Sequence, residues 1–192
     1  MSESATENGA GMPGGLRELL QPGKFVFTVL ISSLEYSERM KALLKFAAQT
    51  WKQTCFVTTN KPSSTILDTI RQLKLKPDSF VIVDAVSLSA GIEKKEENVV
   101  YVSSPGAITE LGIRIGEILE KSKVEAVIFD SVSALLIHTK ESEILKFIHI
   151  LVSRTRGKRI PAIFPVLRED LETSAVKNLN MFADSVIDLV EK

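Results

Sequence analysis

The chain has 192 residues, 44% of them hydrophobic, enough to fill one core, and this size predicts a single α/β domain. Lysine plus arginine and aspartate plus glutamate each number 24, so the formal charge is zero, which excludes a strong global attraction to nucleic acid or to an acidic membrane. A single cysteine, Cys55, excludes an internal disulfide, and no apolar run approaches the roughly 18 residues of a membrane span.

Residues 1–15 are rich in Gly, Ser, Glu and Asn, with nothing to bury, and predict a flexible tail. With neither a basic nor a hydrophobic segment at its start, the chain is expected to be cytoplasmic and soluble, with no membrane partner. Leu16, Leu19 and Leu20 then make a short apolar helical face closed by Pro22 and Gly23. Residues 25–31, FVFTVLI, read as a buried strand, and Met40, Leu43, Leu44 and Ala47 mark one face of the helix that follows.

The joint between them, SSLEYSER, occupies residues 32–39. A phosphate-binding joint here would be rich in glycine and end in Gly-Lys-Ser/Thr, because backbone N–H groups must wrap the anion and the lysine must reach it. This joint has no glycine and carries Glu35 and Glu38 where a nucleotide would bring further negative charge. Ser32 followed by Glu35 fits a capping box and predicts a helix that begins almost as soon as the strand stops.

Residues 54–59, TCFVTT, form the second strand, in which Cys55 fills space. Asn60, Lys61 and Pro62 turn into a helix capped by Ser63 or Ser64, with Ile66, Leu67, Ile70 and Leu73 as its buried stripe. A third strand over 79–84 ends in Asp84, either a residue at the ligand-binding edge of the sheet or a turn cap. Residues 85–98, with the run EKKEEN, read as a solvated loop or a partner contact. A short strand over 99–102 and a break at Ser103, Ser104, Pro105 and Gly106 precede a helix with Ile108, Leu111, Ile115, Ile118 and Leu119 on its apolar face. Gly112 and Gly116 each weaken that helix by roughly 1 kcal/mol relative to alanine, and their spacing would let another backbone come close.

Residues 124–130, VEAVIFD, are the fourth main strand, ending in Asp130 and followed at once by Ser131. A carboxylate at that point can hold Mg²⁺ or its water beside phosphates, or simply accept neighbouring backbone N–H bonds. The next helix, over 141–154, buries Ile144, Leu145, Ile148, Leu151 and Val152. His138 and His149 have no cysteine or repeated carboxylate spacing beside them, so no metal site is expected. Arg154, Arg156, Lys158 and Arg159 are the densest cationic cluster, placed either to complement a helix dipole or to contact an anion such as phosphate or nucleic acid. Pro161 and Pro165 interrupt a fifth strand over 159–166 and predict irregularity or a place near a sheet edge. Residues 168–177 are charged and predict a surface segment, and 184–189 predict a last strand with Val186 and Leu189 buried.

Taken together, LRELLQPGKFVFTVLIS, the strand ending VIVD, VYVSSPGAITELGIRIGEIL, VIFDSVSALL and MFADSVIDL give a chain that resembles the RecA/KaiC-like ATPase superfamily over residues 16–191. The resemblance implies a three-layer α/β/α sandwich with a mostly parallel central sheet, the P-loop NTPase fold, over 16–192. In that family the first joint carries the Walker A loop, an acidic residue follows the second strand, and the Asp of a DS turn helps coordinate Mg²⁺. Asp130 and Ser131 match the DS turn. Glu38, Arg39 and Met40 stand where Gly, Lys and Thr belong, and Thr59, Asn60 and Lys61 occupy the region of the acidic pair. Arginine does not replace the compact ammonium of lysine, and Met40 offers Mg²⁺ no oxygen.

The resemblance therefore implies a degenerate member in which Ser32, Ser33, Glu35, Ser37, Glu38, Arg39 and Met40 form the altered phosphate loop. No catalytic residue and no cofactor are expected. The function implied is regulation or contact with a protein partner, including the chain itself as a homodimer or higher oligomer. Two alternatives stand beside it: an unconventional ATP-binding protein or slow ATPase using ATP and Mg²⁺ through Asp130 and Arg39, and a nucleic-acid-associated recombination or repair accessory protein using the cluster Arg154 to Arg159.

Overall fold

The computed structural model describes residues 15–92 and 96–189. The tail expected over 1–15, apart from Gly15, lies outside the described residues, as do 93–95 of the polar run.

Among the described residues, short apolar runs bounded by turn residues, each followed by a helix or a loop, form seven strands: β1 Val26–Ile31, β2 Thr54–Thr58, β3 Phe80–Asp84, β4 Val99–Tyr101, β5 Ala126–Asp130, β6 Ala162–Leu167 and β7 Ser185–Asp188. They make one sheet in the order β4-β3-β2-β5-β6-β1-β7, with every ladder parallel. The helices are α1 Tyr36–Thr50, α2 Ser63–Gln72, α3 Ile108–Lys121, the single turn α4 Val132–Leu135, α5 Glu141–Lys158 and α6 Ser174–Phe182. On one face, α1, α2 and the 3-10 turn Leu16–Leu20 cover Phe27, Phe56, Phe80 and Ile128. On the other, α3, α5 and α6 cover Phe129, Phe164 and Val127, where the rings of Phe129 and Phe147 lie 5.5 Å apart. This is the α/β/α sandwich with a parallel central sheet that the sequence implied. Among the described residues no helix is long and apolar enough to cross a membrane.

Several local expectations are corrected. β6 is not near an edge; it lies between β5 and β1. The Ala162 N–H bonds Phe25 O on the β1 side and the Pro161 carbonyl accepts from Val127 on the β5 side, so alternation turns residue 165 toward β5. The β5 ladder has already ended at the Ile128–Ile163 pair, so the N–H that Pro165 lacks has no partner to lose. Val186 is 47% exposed because β7 is the edge strand and its alternation buries Ile187 instead, together with Leu189 beyond it. Leu20 is also exposed, leaving Leu16 and Leu19 as the buried pair of the first turn. The charged surface segment over 168–177 leads into a helix the sequence did not predict, α6, which begins at Ser174, is capped by Thr173 and is anchored by Ala175, Val176 and Leu179. What approaches the small face of α3 is a side chain: Arg154 Nη1 bonds the Gly112 carbonyl at 2.8 Å, and a Cβ on Gly116 would stand 2.1 Å from that nitrogen.

Candidate functional site

In a parallel sheet all strands present their carboxyl ends to one edge, and here that edge gathers the chemically active side chains. The β2 residue Thr58 pairs with Asp84 of β3 on one side and Asp130 of β5 on the other, so the two carboxylates stand in one row.

Asp84 is fully buried and accepts from four donors: Ser63 N at 2.7 Å, Val86 N at 2.8 Å, Ser87 N at 2.9 Å and Ser87 Oγ at 2.5 Å. Burial alone would raise its carboxyl, but the bonds from Ser63 and Ser87 outweigh it and hold the group below its ordinary range. Asp84 is thus a cap: it holds the first turn of α2, which starts at Ser63 with Pro62 before it and has no serine side-chain cap. Of the two roles open in sequence, the geometry supplies the turn cap.

Asp130 is 2% exposed and takes a different set of partners. The Tyr36 hydroxyl donates to its Oδ1, joined there by Asn60 Nδ2 at 3.3 Å. Burial pushes the Asp130 carboxyl above its ordinary range, and the Tyr36 bond, the Lys61 charge and the Asn60 bond offset part of that. Burial and then the Asp130 charge push the Tyr36 phenol up as well, so it keeps its proton and donates it. Thr59 locks the backbone behind: its N–H bonds Asp130 O at 2.8 Å, its Oγ1 bonds Ser131 O at 2.9 Å, and Ser131 N returns a bond at 3.0 Å. Ser131 also caps α4 through Ala134 N.

β1 and β5 are separated by β6, two inter-strand spacings or about 10 Å, so a long side chain is needed to cross. Tyr36, the first residue of α1, does so. The turn that delivers it is short: Glu35 N bonds Ser32 O at 3.0 Å, and Glu35 stands at the helix cap without a side-chain capping bond. The capping box expected from Ser32 and Glu35 does not form, because the helix starts at Tyr36, one residue after Glu35. Ser33 turns instead to the loop after β6, giving its N–H and Oγ to the Glu169 carboxylate at 3.1 and 2.8 Å.

The rest of the altered loop is dispersed. Arg39 is 8% exposed and bonds Glu35 across one helical turn at 3.1 Å; Met40 is in the core under the sheet. Ser37 and Glu38 face solvent, and Glu38 pairs with Lys41 at 2.7 Å. The cationic cluster stands at the opposite end of the molecule. Arg156 bonds Phe182 O at 2.8 Å and Asp184 at 2.7 Å, and Asp184 in turn accepts from Phe25 N and Val26 N at the start of β1. Lys158 closes α5 and Arg159 follows in the left-handed region at φ 57°. His138 and His149 are both exposed, and among the described residues no three His, Cys, Asp or Glu side chains group to hold a metal ion. Cys55, in β2, is buried in the core on the side covered by α3, α5 and α6, its thiol pushed up to about 12 by burial, which leaves it a space-filler with no reactive character.

Sequence reasoning placed Asp130 and the loop at one edge but did not single out Tyr36, nor Thr59 and Asn60 as partners of Asp130. A usable signal was present: in a loop without glycine, Tyr36 is the one aromatic residue, an apolar ring long enough to cross buried surface with a hydroxyl at its tip.

Solved structures share this architecture. The chain is similar to the flagellar accessory protein FlaH from Methanocaldococcus jannaschii, with 16% identity, TM-score 0.51, and coverage of 86% of this chain and 70% of that one. It is similar also to the KaiC-like protein PH0186 from the hyperthermophilic archaeon Pyrococcus horikoshii OT3, with 14% identity, TM-score 0.57, and coverage of 88% and 73%. At these identities the likeness is one of fold, the RecA/KaiC-like P-loop NTPase architecture. No curated protein matches the chain. Residues 33–189 match the model of a family of unknown function (DUF7504).

Proposed function

The chain belongs to the DUF7504 family of unknown function, and we propose that it is a non-hydrolysing RecA/KaiC-like domain, one unit over 16–192, that works through contacts with protein. The observation that carries this reading is the Tyr36–Asp130 bond. A Mg²⁺–triphosphate asks for a carboxylate free to face the metal or its water, a lysine ammonium on the phosphates, and a turn of backbone N–H groups open to an anion. Here the carboxylate is covered by a phenol and an amide, the position expected to hold the phosphate lysine carries Arg39, folded onto Glu35, and the Ser33 N–H already holds a carboxylate. The residues present do not fit Mg²⁺ and a triphosphate, and no hydrolytic step is drawn through them. What is left of the nucleotide corner is a rigid brace tying β1, β5 and the loop after β6 together, a scaffold for surfaces.

Magnesium-dependent ATP hydrolysis by the purified chain tests this directly. No turnover above the buffer blank is expected; turnover that disappears in Asp130→Ala would overturn the reading.

A further inference from the structure

The formal charge of zero hides an uneven distribution. Parallel ladders bring the starts of the strands to the amino edge, opposite the Tyr36–Asp130 corner. Over the neighbouring strands β2, β5, β6 and β1, the segments that lead into that edge carry Lys52, then Lys121 and Lys123, then Lys158 and Arg159, then Lys24. Each lies within five residues of the strand it precedes. All are exposed except the partly buried Lys24, and among the described residues none is in an ion pair. Carboxylates are fewer over the same stretch: Glu120, which is exposed, and Glu125, which already accepts the Lys52 N–H at 2.8 Å. Arg156 and Asp184 pair at 2.7 Å, and Arg17 and Glu18 in the 3-10 turn offset each other in charge. Toward β3 and β4 the excess ends, because Asp78, Glu96 and Glu97 balance Lys74 and Lys76. Two apolar side chains stand beside the excess. Leu20, 53% exposed, ends the 3-10 turn on the α1 face of the sheet, and Met181, 80% exposed, is in the last turn of α6 on the other face. Their segments lead into the adjacent strands β1 and β7, so the pair brackets the edge from both faces.

We infer that this edge docks on an anionic lipid surface, its cations against the headgroup phosphates and Leu20 and Met181 at the boundary with the acyl chains. The cations come from four separate loops along one edge, roughly 14 Å across at the spacing of parallel strands, so they meet a plane together and not a single groove. Lysines outnumber arginine five to one, and a compact ammonium suits a mobile array of headgroups better than a fixed bidentate partner. Nucleic acid fits less well. Phe25, Trp51 and Phe182, the aromatics of this edge, are not exposed to stack on bases, and the last two are already packed on Phe46 and His149. The inference goes beyond the non-hydrolysing reading and is independent of it, because the nucleotide corner lies at the other edge.

Co-sedimentation of the full chain with vesicles of phosphatidylcholine alone, or of phosphatidylcholine with about 30% phosphatidylserine, tests this. Binding is expected to the anionic vesicles and not to the neutral ones at about 0.1 M salt, and to be lost at about 0.5 M as the charges are screened. The double substitution Lys123→Gln with Lys158→Gln should weaken it about thirtyfold, at about fivefold per charge. Lys74→Gln with Lys76→Gln, outside the excess, should leave it unchanged. Leu20→Ser with Met181→Ser, both exposed positions and checked for unchanged melting, should weaken it at least about fivefold with no change of charge. The inference is overturned by failure to pellet with anionic vesicles, by equal pelleting with neutral ones, or by equal losses from the two lysine pairs. Unchanged binding in the Leu20 and Met181 variant, or tighter capture of single-stranded DNA or polyglutamate than of the vesicles, would overturn it as well.

Discussion

Three backbone N–H groups converge on the Asp84 carboxylate from two segments, the start of α2 and the turn after β3. Asp84→Ala would strand these donors in a buried place, and a loss of about 3 kcal/mol in urea unfolding is expected, with Asp84→Asn milder. The pH sign follows from the depressed carboxyl: its stabilising share is present above the ordinary value of 3.8 and is lost as pH falls through the folded value, so the gap between wild type and Asp84→Ala narrows in acid. Asp130 has the opposite sign. Its carboxyl is raised, so the folded state holds the proton more tightly, and its share of stability falls as pH climbs from 3.8 through the folded value. Asp130→Asn keeps an acceptor for Tyr36 and removes this titration; the variant's melting temperature relative to wild type should climb as pH rises from about 4 toward neutral. A pH-independent difference would contradict the assignment.

At the scale of elements, α3 offers a paired test. A methyl on Gly112 would meet Phe147 at 3.7 Å, an ordinary contact, so Gly112→Ala should stabilise by roughly 0.5–1 kcal/mol in urea unfolding through helix propensity. Gly116→Ala gains the same propensity but drives Arg154 off the Gly112 carbonyl, a bond of about 1 kcal/mol, and should come out near zero. The stripe of α3 was readable from Ile108 to Leu119 because burial repeats at the helical period. The partner of its glycines was not readable, since Arg154 reaches it from another helix and a cation at a helix end has a sufficient local explanation. Likewise Pro165 argued for an edge by a local rule, while the point at which the β5 ladder stops is set by the lengths of three strands together. α6 was hidden because charged residues surround the short buried set of Ala175, Val176 and Leu179.

For the whole molecule, alternating apolar runs and helical stripes dictated the layered parallel sheet, and the DS turn put Asp130 at its carboxyl edge, so the architecture was legible. The state of that edge was not, because the residues that close it are 94 positions apart for Tyr36 and Asp130 and 136 for Ser33 and Glu169. That the first joint is not a glycine-rich loop ending in Gly-Lys-Ser/Thr could be read from Glu38, Arg39 and Met40; that a tyrosine reaches Asp130 from it depends on how many strands separate β1 from β5. The claim that the nucleotide corner is closed by this bond is tested most directly by calorimetric titration of Mg²⁺–ATP into the wild-type chain and into Asp130→Ala. The expected result is the absence of saturable heat at millimolar nucleotide in both proteins; stoichiometric binding by the wild type that is lost in Asp130→Ala would contradict it.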